Sequence, residues 1–165
     1  MKHVINILLK LDKKTEKIRR KYDPYSNKFK PHITLVYQFE FEDKKALTDH
    51  IKSSIKGIKS FRVSLEDIGE SYPFVQLIAK EGKKELLILR KRLNLGVLKN
   101  IGERQPLKYP PHMSIGVIEN KENFKKGVEE RKKLKPRYKT TVKSIQLITL
   151  NKNRMIKSKR SFRLT

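Results

Sequence analysis

The sequence has no cysteine among its 165 residues. Disulfides, thiolate zinc sites and thiol nucleophiles are therefore excluded, and a reducing compartment suits the chain. Uncharged runs are short as well, because the longest, Tyr109–Ile118, has ten residues. A membrane span needs about 20 apolar residues. The N-terminus also lacks the positive, apolar, then small pattern of a signal peptide. We therefore expect a cytoplasmic protein with no membrane association.

Acidic residues are scarce, with 17 Asp and Glu against 41 Lys and Arg, giving a net charge of +24. The excess is uneven, because the stretch from Arg131 to the end has 13 Lys and Arg and no carboxylate. Such a field attracts polyanions, above all the phosphates of nucleic acid. A solvated lysine surface would give the same composition. Charge alone leaves both interpretations open.

Short alternating or β-branched runs predict strands, and polar segments with helical spacing predict helices. The predicted strands are His3–Leu9, Pro31–Tyr37, Phe61–Ile68, Phe74–Ala79, His112–Ile118, Thr140–Leu150 and Arg154–Leu164. The predicted helices are Asp12–Lys21, Asp43–Lys56, Lys83–Leu95 and Lys121–Lys133. Asp12 is the expected N-cap of the first helix.

The element order repeats, which indicates an internal duplication. Each half has a strand, a helix, a proline-containing loop, a strand that begins Pro-His, a helix and a strand. His32 precedes Phe61 by 29 residues, and His112 precedes Thr141 by the same number. The length favours one domain. We therefore predict a single domain over residues 1–165, built from pseudo-repeats at roughly 1–72 and 73–165.

The duplicated strands carry the residues with the clearest chemistry. Residues 31–35 read Pro-His-Ile-Thr-Leu, and residues 111–115 read Pro-His-Met-Ser-Ile. Because residues i and i+2 of a strand share a face, His32 and Thr34 lie together, as do His112 and Ser114. The opposite face of each strand is apolar. Tyr37 would lie on that apolar face unless the strand bends.

Two imidazoles facing one site are suited to paired acid–base catalysis. With an ordinary pKa of about 6.5, one can be neutral and accept a proton while the other is protonated and donates one. The two hydroxyls can donate to phosphate oxygens. Neither motif contains a carboxylate or a third histidine, so no metal is predicted. The sequence does not say which histidine is the acid. His3 and His50 are expected to be structural or solvated.

The doubled His-x-[Thr/Ser] motif resembles the 2H phosphoesterase superfamily. That superfamily includes the 2′-5′ RNA ligase-like (LigT-like) proteins, RNA 2′,3′-cyclic phosphodiesterases and the YjcG-like proteins. The Tyr-Asp-Pro at residues 22–24 and Leu-Gly-Val-Leu at residues 95–98 look most like the YjcG-like branch. Ser114 differs from the more common threonine but keeps the hydroxyl.

The resemblance implies an α+β fold, bilobal with a pseudo-twofold axis, in which two antiparallel sheets surround a central cleft and helices lie outside. It also implies that His32, Thr34, His112 and Ser114 are the catalytic set. The implied enzyme is a metal-independent phosphoesterase acting on 2′,3′-cyclic phosphates or 2′-5′ linkages of RNA or nucleotides.

Other candidate residues lie in the loops before the two motifs. Arg104, Lys108 and Tyr109 precede His112, and Tyr25 precedes His32, so each could hold a phosphate or stack on a base. No glycine-rich phosphate loop is present, so ATP, NAD and other cofactors are not predicted. A monomer is expected. Two alternatives remain: a non-catalytic RNA-binding protein that uses the same basic cleft, and a phosphodiesterase for small nucleotides.

Overall fold

The computed structural model describes residues 1–101 and 110–165. Its strands are β1 (Lys2–Leu8), β2 (His32–Glu40), β3 (Phe61–Ser71), β4 (Phe74–Ala79), β5 (His112–Val117), β6 (Tyr138–Val142), β7 (Ser144–Leu150) and β8 (Ile156–Arg163). Its α-helices are α1 (Lys13–Tyr22), α2 (Lys44–Ile55), α3 (Lys83–Leu93) and α4 (Lys121–Lys133). Asp12 is the N-cap of α1, as predicted, and accepts from the Thr15 amide at 2.9 Å.

The strands form two four-stranded antiparallel sheets, which confirms the predicted α+β class. Sheet A has the order β2-β1-β7-β8, and sheet B has the order β5-β4-β3-β6. The histidine-bearing strands β2 and β5 are therefore edge strands of their sheets, and they contact each other. A proline at the start of an edge strand removes no ladder hydrogen bond. The Pro-His sequences thus begin strands where proline is tolerated.

The predicted strand over Thr140–Leu150 is wrong, because this segment forms two strands in different sheets. β6 pairs with β3 in sheet B, and β7 pairs with β1 in sheet A. The break falls at exposed Lys143, between buried Val142 and buried Ile145. Val142 is buried in sheet B and Ile145 is buried in sheet A. Pairing with distant strands, and not local propensity, therefore sets where the segment divides.

Helices cover the sheets through apolar stripes at helical spacing. On α3, Leu86, Leu89 and Leu93 are fully buried, and on α2 Leu47 and Ile51 are buried likewise. α3 packs on β2 and against α2, while α1 packs on β5. A helix from each half therefore contacts the histidine strand of the other half. No helix in the described ranges has the length and apolar character needed to cross a bilayer.

Gly82 gives a test of the connection between β4 and α3. It has a φ of +75°, and a Cβ added there would lie 2.3 Å from the backbone oxygen of Arg62. We expect Gly82→Ala to lower the free energy of unfolding by more than about 2 kcal/mol, because left-handed strain of roughly 1 kcal/mol adds to a backbone clash. Urea unfolding measures the loss.

The matched control is Gly57→Ala. Gly57 has nearly the same φ of +74°, but nothing lies within 4 Å of an added Cβ. The Gly57→Ala variant should therefore lower the free energy of unfolding only by the left-handed backbone strain, roughly 1 kcal/mol. Equal losses at the two positions would show that the Arg62 contact makes no difference.

Candidate active site

The start of each histidine-bearing strand is held to its neighbouring strand by the carbonyl of the proline that precedes the histidine. The Leu9 amide donates to the Pro31 carbonyl at 2.9 Å, and the Ala79 amide donates to the Pro111 carbonyl at 2.8 Å. One residue further on, Leu8 is opposite His32 and Ile78 is opposite His112. The two histidines therefore occupy equivalent register positions in sheets A and B.

Both imidazoles are held by the same local hydrogen bond. The Nδ1 of His32 lies 2.7 Å from the Lys30 carbonyl, and the Nδ1 of His112 lies 2.7 Å from the Pro110 carbonyl. Because a carbonyl only accepts, each Nδ1 must carry a hydrogen. In the neutral ring, Nε2 is then the basic nitrogen. Each histidine is thus set to exchange a proton at Nε2.

The two hydroxyl residues of the motifs also match. Thr34 is opposite Asn6 on β1, and Ser114 is opposite Gln76 on β4. Opposed residues of an antiparallel pair share a face, so each hydroxyl lies beside a buried amide side chain. The amide side chains of Asn6 and Gln76 were not singled out from the sequence, because an isolated polar residue in a strand has no distinguishing signal.

A register shift follows each hydroxyl residue. Asn6 pairs with Thr34 but Ile5 pairs with Val36, so Leu35 is an extra residue in β2. In β5, Ile115 is the corresponding extra residue between Ser114 and Gly116. Such bulges reverse the alternation of side chains and are common beside active sites. Leu35 and Val36 are both fully buried.

The bulge in β2 determines the face on which Tyr37 lies. Two consecutive buried residues precede it, so Tyr37 returns to the face of His32 and Thr34, where it is half-buried. Burial raises the pKa of its hydroxyl, so the phenol stays protonated at neutral pH. Simple alternation of residues placed it on the opposite face, because alternation does not register an inserted residue.

Arg90 on α3 connects the bulge to the second histidine. Its guanidinium donates to the Leu35 carbonyl at 2.8 Å and lies 5.7 Å from the centre of the Tyr37 ring. It is nearly buried, at 9% exposure. Its charge also reaches His112, whose pKa it lowers. No sequence signal marks this residue, since one arginine among 41 basic residues on a charged helix is not distinctive.

Both motif histidines have a pKa below the ordinary value. For His32, burial is the main cause, and the charge of Arg19 acts in the same direction. For His112, burial again dominates, followed by the charges of His32 and Arg90. The strands β2 and β5 that carry the two imidazoles contact each other, which is consistent with the effect of His32 on the pKa of His112. The site therefore favours the neutral forms when no anion is bound.

The loop before His32 is organised by a buried ion pair. Arg19 contacts Asp23 at 3.3 Å, and its guanidinium also donates to the carbonyls of Ser26 and Phe29. Asp23 in turn accepts from the Tyr25 amide at 2.9 Å. These contacts fix the backbone leading to the Lys30 carbonyl. They explain how the short turn after α1 presents the acceptor for His32.

Tyr25 lies on this loop and is exposed. Its hydroxyl donates to Glu119, which follows β5, at 3.3 Å. The contact joins the loop before the start of β2 to the segment after the end of β5. A substrate-binding role for Tyr25 stays a prediction. Arg104, Lys108 and Tyr109 lie outside the described residues.

The remaining histidines lie in structural positions. His3 is buried, with Nε2 donating to the Phe41 carbonyl at 3.0 Å and Nδ1 at 3.1 Å from the Thr149 hydroxyl. His50 lies on α2, with Nε2 3.0 Å from the Leu93 carbonyl. Within residues 1–101 and 110–165, no group of three or more His, Asp or Glu side chains is arranged to hold a metal.

Comparison with known proteins assigns the family. A sequence model of the 2′-5′ RNA ligase superfamily matches residues 9–154. The chain belongs to this superfamily, as the doubled motif indicated. No curated protein matches the sequence significantly. The narrower assignment to the YjcG-like branch stays a prediction.

Solved structures share the fold over nearly the whole chain. Usb1 of Kluyveromyces marxianus has a TM-score of 0.63 and 13% identity, covering 99% of this chain and 98% of that one. LigT of E. coli in complex with 3′-AMP has a TM-score of 0.60 and 14% identity, covering 98% of both chains. TT0787 of Thermus thermophilus has a TM-score of 0.60 and 16% identity, covering 99% of both chains. At these identities the likeness concerns the fold.

Arg90 gives a test of the site's electrostatics. We expect Arg90→Met to raise the pKa of His112, because the variant removes a nearby cation that lowers it. The His32 pKa should change less, since Arg90 is not among its causes. The measurement is an NMR titration of the imidazole resonances. Arg90→Lys keeps the charge and should leave His112 near its wild-type pKa, and an equal rise in both variants would contradict the assignment.

Proposed function

We propose that the protein is a metal-independent phosphoesterase that acts on 2′,3′-cyclic phosphates or 2′-5′ linkages of RNA or nucleotides. His32 and His112 serve as the proton-transfer pair, and the hydroxyls of Thr34 and Ser114 hold the phosphate. The observation that carries the proposal is the matched Nδ1 hydrogen bond of the two imidazoles. It makes Nε2 the basic nitrogen of both neutral rings, which lie on facing edge strands.

The reaction is an in-line displacement at phosphorus. In the hydrolytic direction, one neutral imidazole takes a proton from water as its oxygen bonds to phosphorus. The other imidazole, protonated, gives its proton to the leaving ribose oxygen as that P–O bond breaks. In the ligase direction a ribose hydroxyl replaces water. The Thr34 and Ser114 hydroxyls donate to the non-bridging oxygens, where negative charge develops.

The substrate class is supported by the superfamily and by ligands of a relative. The superfamily is described by a 2′-5′ RNA ligase activity. LigT of E. coli has been solved with 3′-AMP, NADP+, ATP and phosphate. Two imidazoles that can be protonated and two hydroxyls that can donate hydrogen bonds are suited to binding the phosphate of a nucleotide.

The histidine pair is tested by substitution. His32→Ala and His112→Ala should each lower kcat by at least about 100-fold, because each removes one proton-transfer partner. The double variant should lose much less than the product of the two, since the residues act as a unit. Turnover is measured on RNA ending in a 2′,3′-cyclic phosphate, a 2′-5′ dinucleotide and cyclic nucleotides, with a chelator present.

His50→Ala is the control, because it removes a histidine that lies on α2 outside the motifs. It should keep turnover as long as the fold is intact. Full activity in either motif variant would refute the mechanism. Loss of wild-type activity on chelation would replace it with a metal-dependent one. Unchanged RNA binding with no turnover of any substrate would favour a binding protein.

The pH profile provides a separate test. Activity needs one neutral and one protonated imidazole, so the pH profile of kcat/KM should be bell-shaped. Its two apparent pKa values should describe the coupled pair and not either histidine alone. Both pKa values are lowered by burial in the free protein, so the maximum should lie below about pH 6.5. A bound phosphate favours the protonated rings, so the kcat profile should lie at higher pH. A rate rising steadily to about pH 10 would exclude a protonated imidazole as the acid.

A further inference from the structure

A row of polar side chains crosses sheet A from the site to its far edge. Thr34 is opposite Asn6, Asn6 is opposite Gln146, and Gln146 is opposite Ser161 on β8. Opposed residues share a face, so the whole row lies on the face of His32 and Thr34. Gln146 is fixed in place, because its carbonyl oxygen accepts from the Leu8 amide and its amide donates to the Ser144 hydroxyl.

Two cations flank the outer end of this row. Lys159 and Arg163 lie two residues to either side of Ser161, so they project from the same face of β8. The register agrees, because Lys159 is opposite Ile148 and Arg163 is opposite Ser144. Both side chains are exposed. None of the ion pairs among the described residues includes either of them.

Sheet B differs in having carboxylates near its outer strands. Its third strand, β3, puts Asp67 opposite Ile78, in the row of His112. Beside it, Glu66 pairs with Lys80 at 3.6 Å. The pKa of Glu66 is lowered by the Ser64 hydroxyl and then by nearby basic side chains, including Lys139 of the edge strand β6. The cations near the edge of sheet B therefore have carboxylate neighbours.

We propose that the His32 face of sheet A is a track for single-stranded RNA, which holds the nucleotides that flank the reacting phosphate. The proposal rests on the proposed function for the position of that phosphate. Lys159 and Arg163 bind two backbone phosphates at the outer end, and the exposed hydroxyl of Ser161 offers a hydrogen bond between them. Among the described residues, the carboxylates Glu66 and Asp67 lie on the β3 strand of sheet B, near its basic side chains, and would repel the RNA backbone, so the strand leaves the cleft over sheet A.

The dimensions set the length of the bound segment. β2 and β8 are separated by three strand spacings, roughly 14 Å. A stacked strand rises about 3.4 Å per nucleotide, so about four nucleotides span the track. KM should therefore fall as the RNA is lengthened from two to about five nucleotides and then level off.

The test compares two double variants of β8. Lys159→Glu with Arg163→Glu changes the track. Lys157→Glu with Arg160→Glu makes the same change of charge on the same strand, but these two side chains line a pocket beside Thr48 of α2, on the opposite face of the sheet. Matched pairs with Gln in place of Glu, and the Tm of each variant, separate electrostatics from folding.

The readouts are kcat/KM and its salt dependence for an eight-nucleotide RNA and for a dinucleotide, both with reactive ends. The track variant should lose at least about tenfold in kcat/KM for the longer RNA. Its salt slope should flatten by about 1.4, because two phosphate contacts of about 0.7 each are removed. Dinucleotide turnover should stay unchanged. The control pair should keep most of the wild-type slope.

Equal effects of the two double variants would mean that the basic surface acts only through net charge. If neither double variant had an effect, the proposed RNA track would be refuted. Fluorescence anisotropy with the same RNA measures binding without turnover. If the wild type turns over no substrate, the proposed function fails, while a selective loss of binding in the track pair would still support the RNA surface. Equal binding by both pairs would overturn it.

Discussion

The hydrogen bond from each imidazole to the carbonyl two residues before it is the constraint on which the cleft depends. It assigns the hydrogen to Nδ1, so Nε2 is the basic nitrogen of both His32 and His112 when the rings are neutral. A neutral hydrogen bond of this kind contributes only about 1 kcal/mol to stability. Its effect here is geometric, because it fixes tautomer and ring orientation. The acceptors are positioned in turn by the proline carbonyls, which join the neighbouring strands.

The bulges show how the core and the site share one short strand. Leu35 and Val36 are consecutive, yet both are fully buried. A regular strand could bury only one of them on the core side, so the extra residue satisfies both at the cost of one irregular ladder position. The carbonyl at this position accepts from Arg90, and Tyr37 returns to the site face. Packing of apolar side chains thus places polar groups beside the histidines.

The sequence was most informative where the signal is local. The alternation in the two Pro-His strands predicted that His32 shares a face with Thr34 and His112 with Ser114, although it failed for Tyr37 beyond the bulge. The family model and the two antiparallel sheets agree with the superfamily and class drawn from those motifs. The division of Thr140–Leu150 between sheets could not be read locally, because pairing partners far along the chain decide it. Arg90 was missed for a similar reason, since only the packing of α3 on β2 brings it to the site.

In the proposed function, the lowered pKa values of the pair would couple proton binding to phosphate binding. In the free protein, burial and the neighbouring cations Arg19 and Arg90 oppose protonation of His32 and His112. A phosphate between the imidazoles supplies the opposite charge and favours their protonated forms. By thermodynamic linkage, a proton bound at either ring must tighten phosphate binding by the same factor. In the proposed reaction, departure of the product anion would reverse both effects. The lowered pKa values would then return the imidazoles to the neutral form that the next turnover needs.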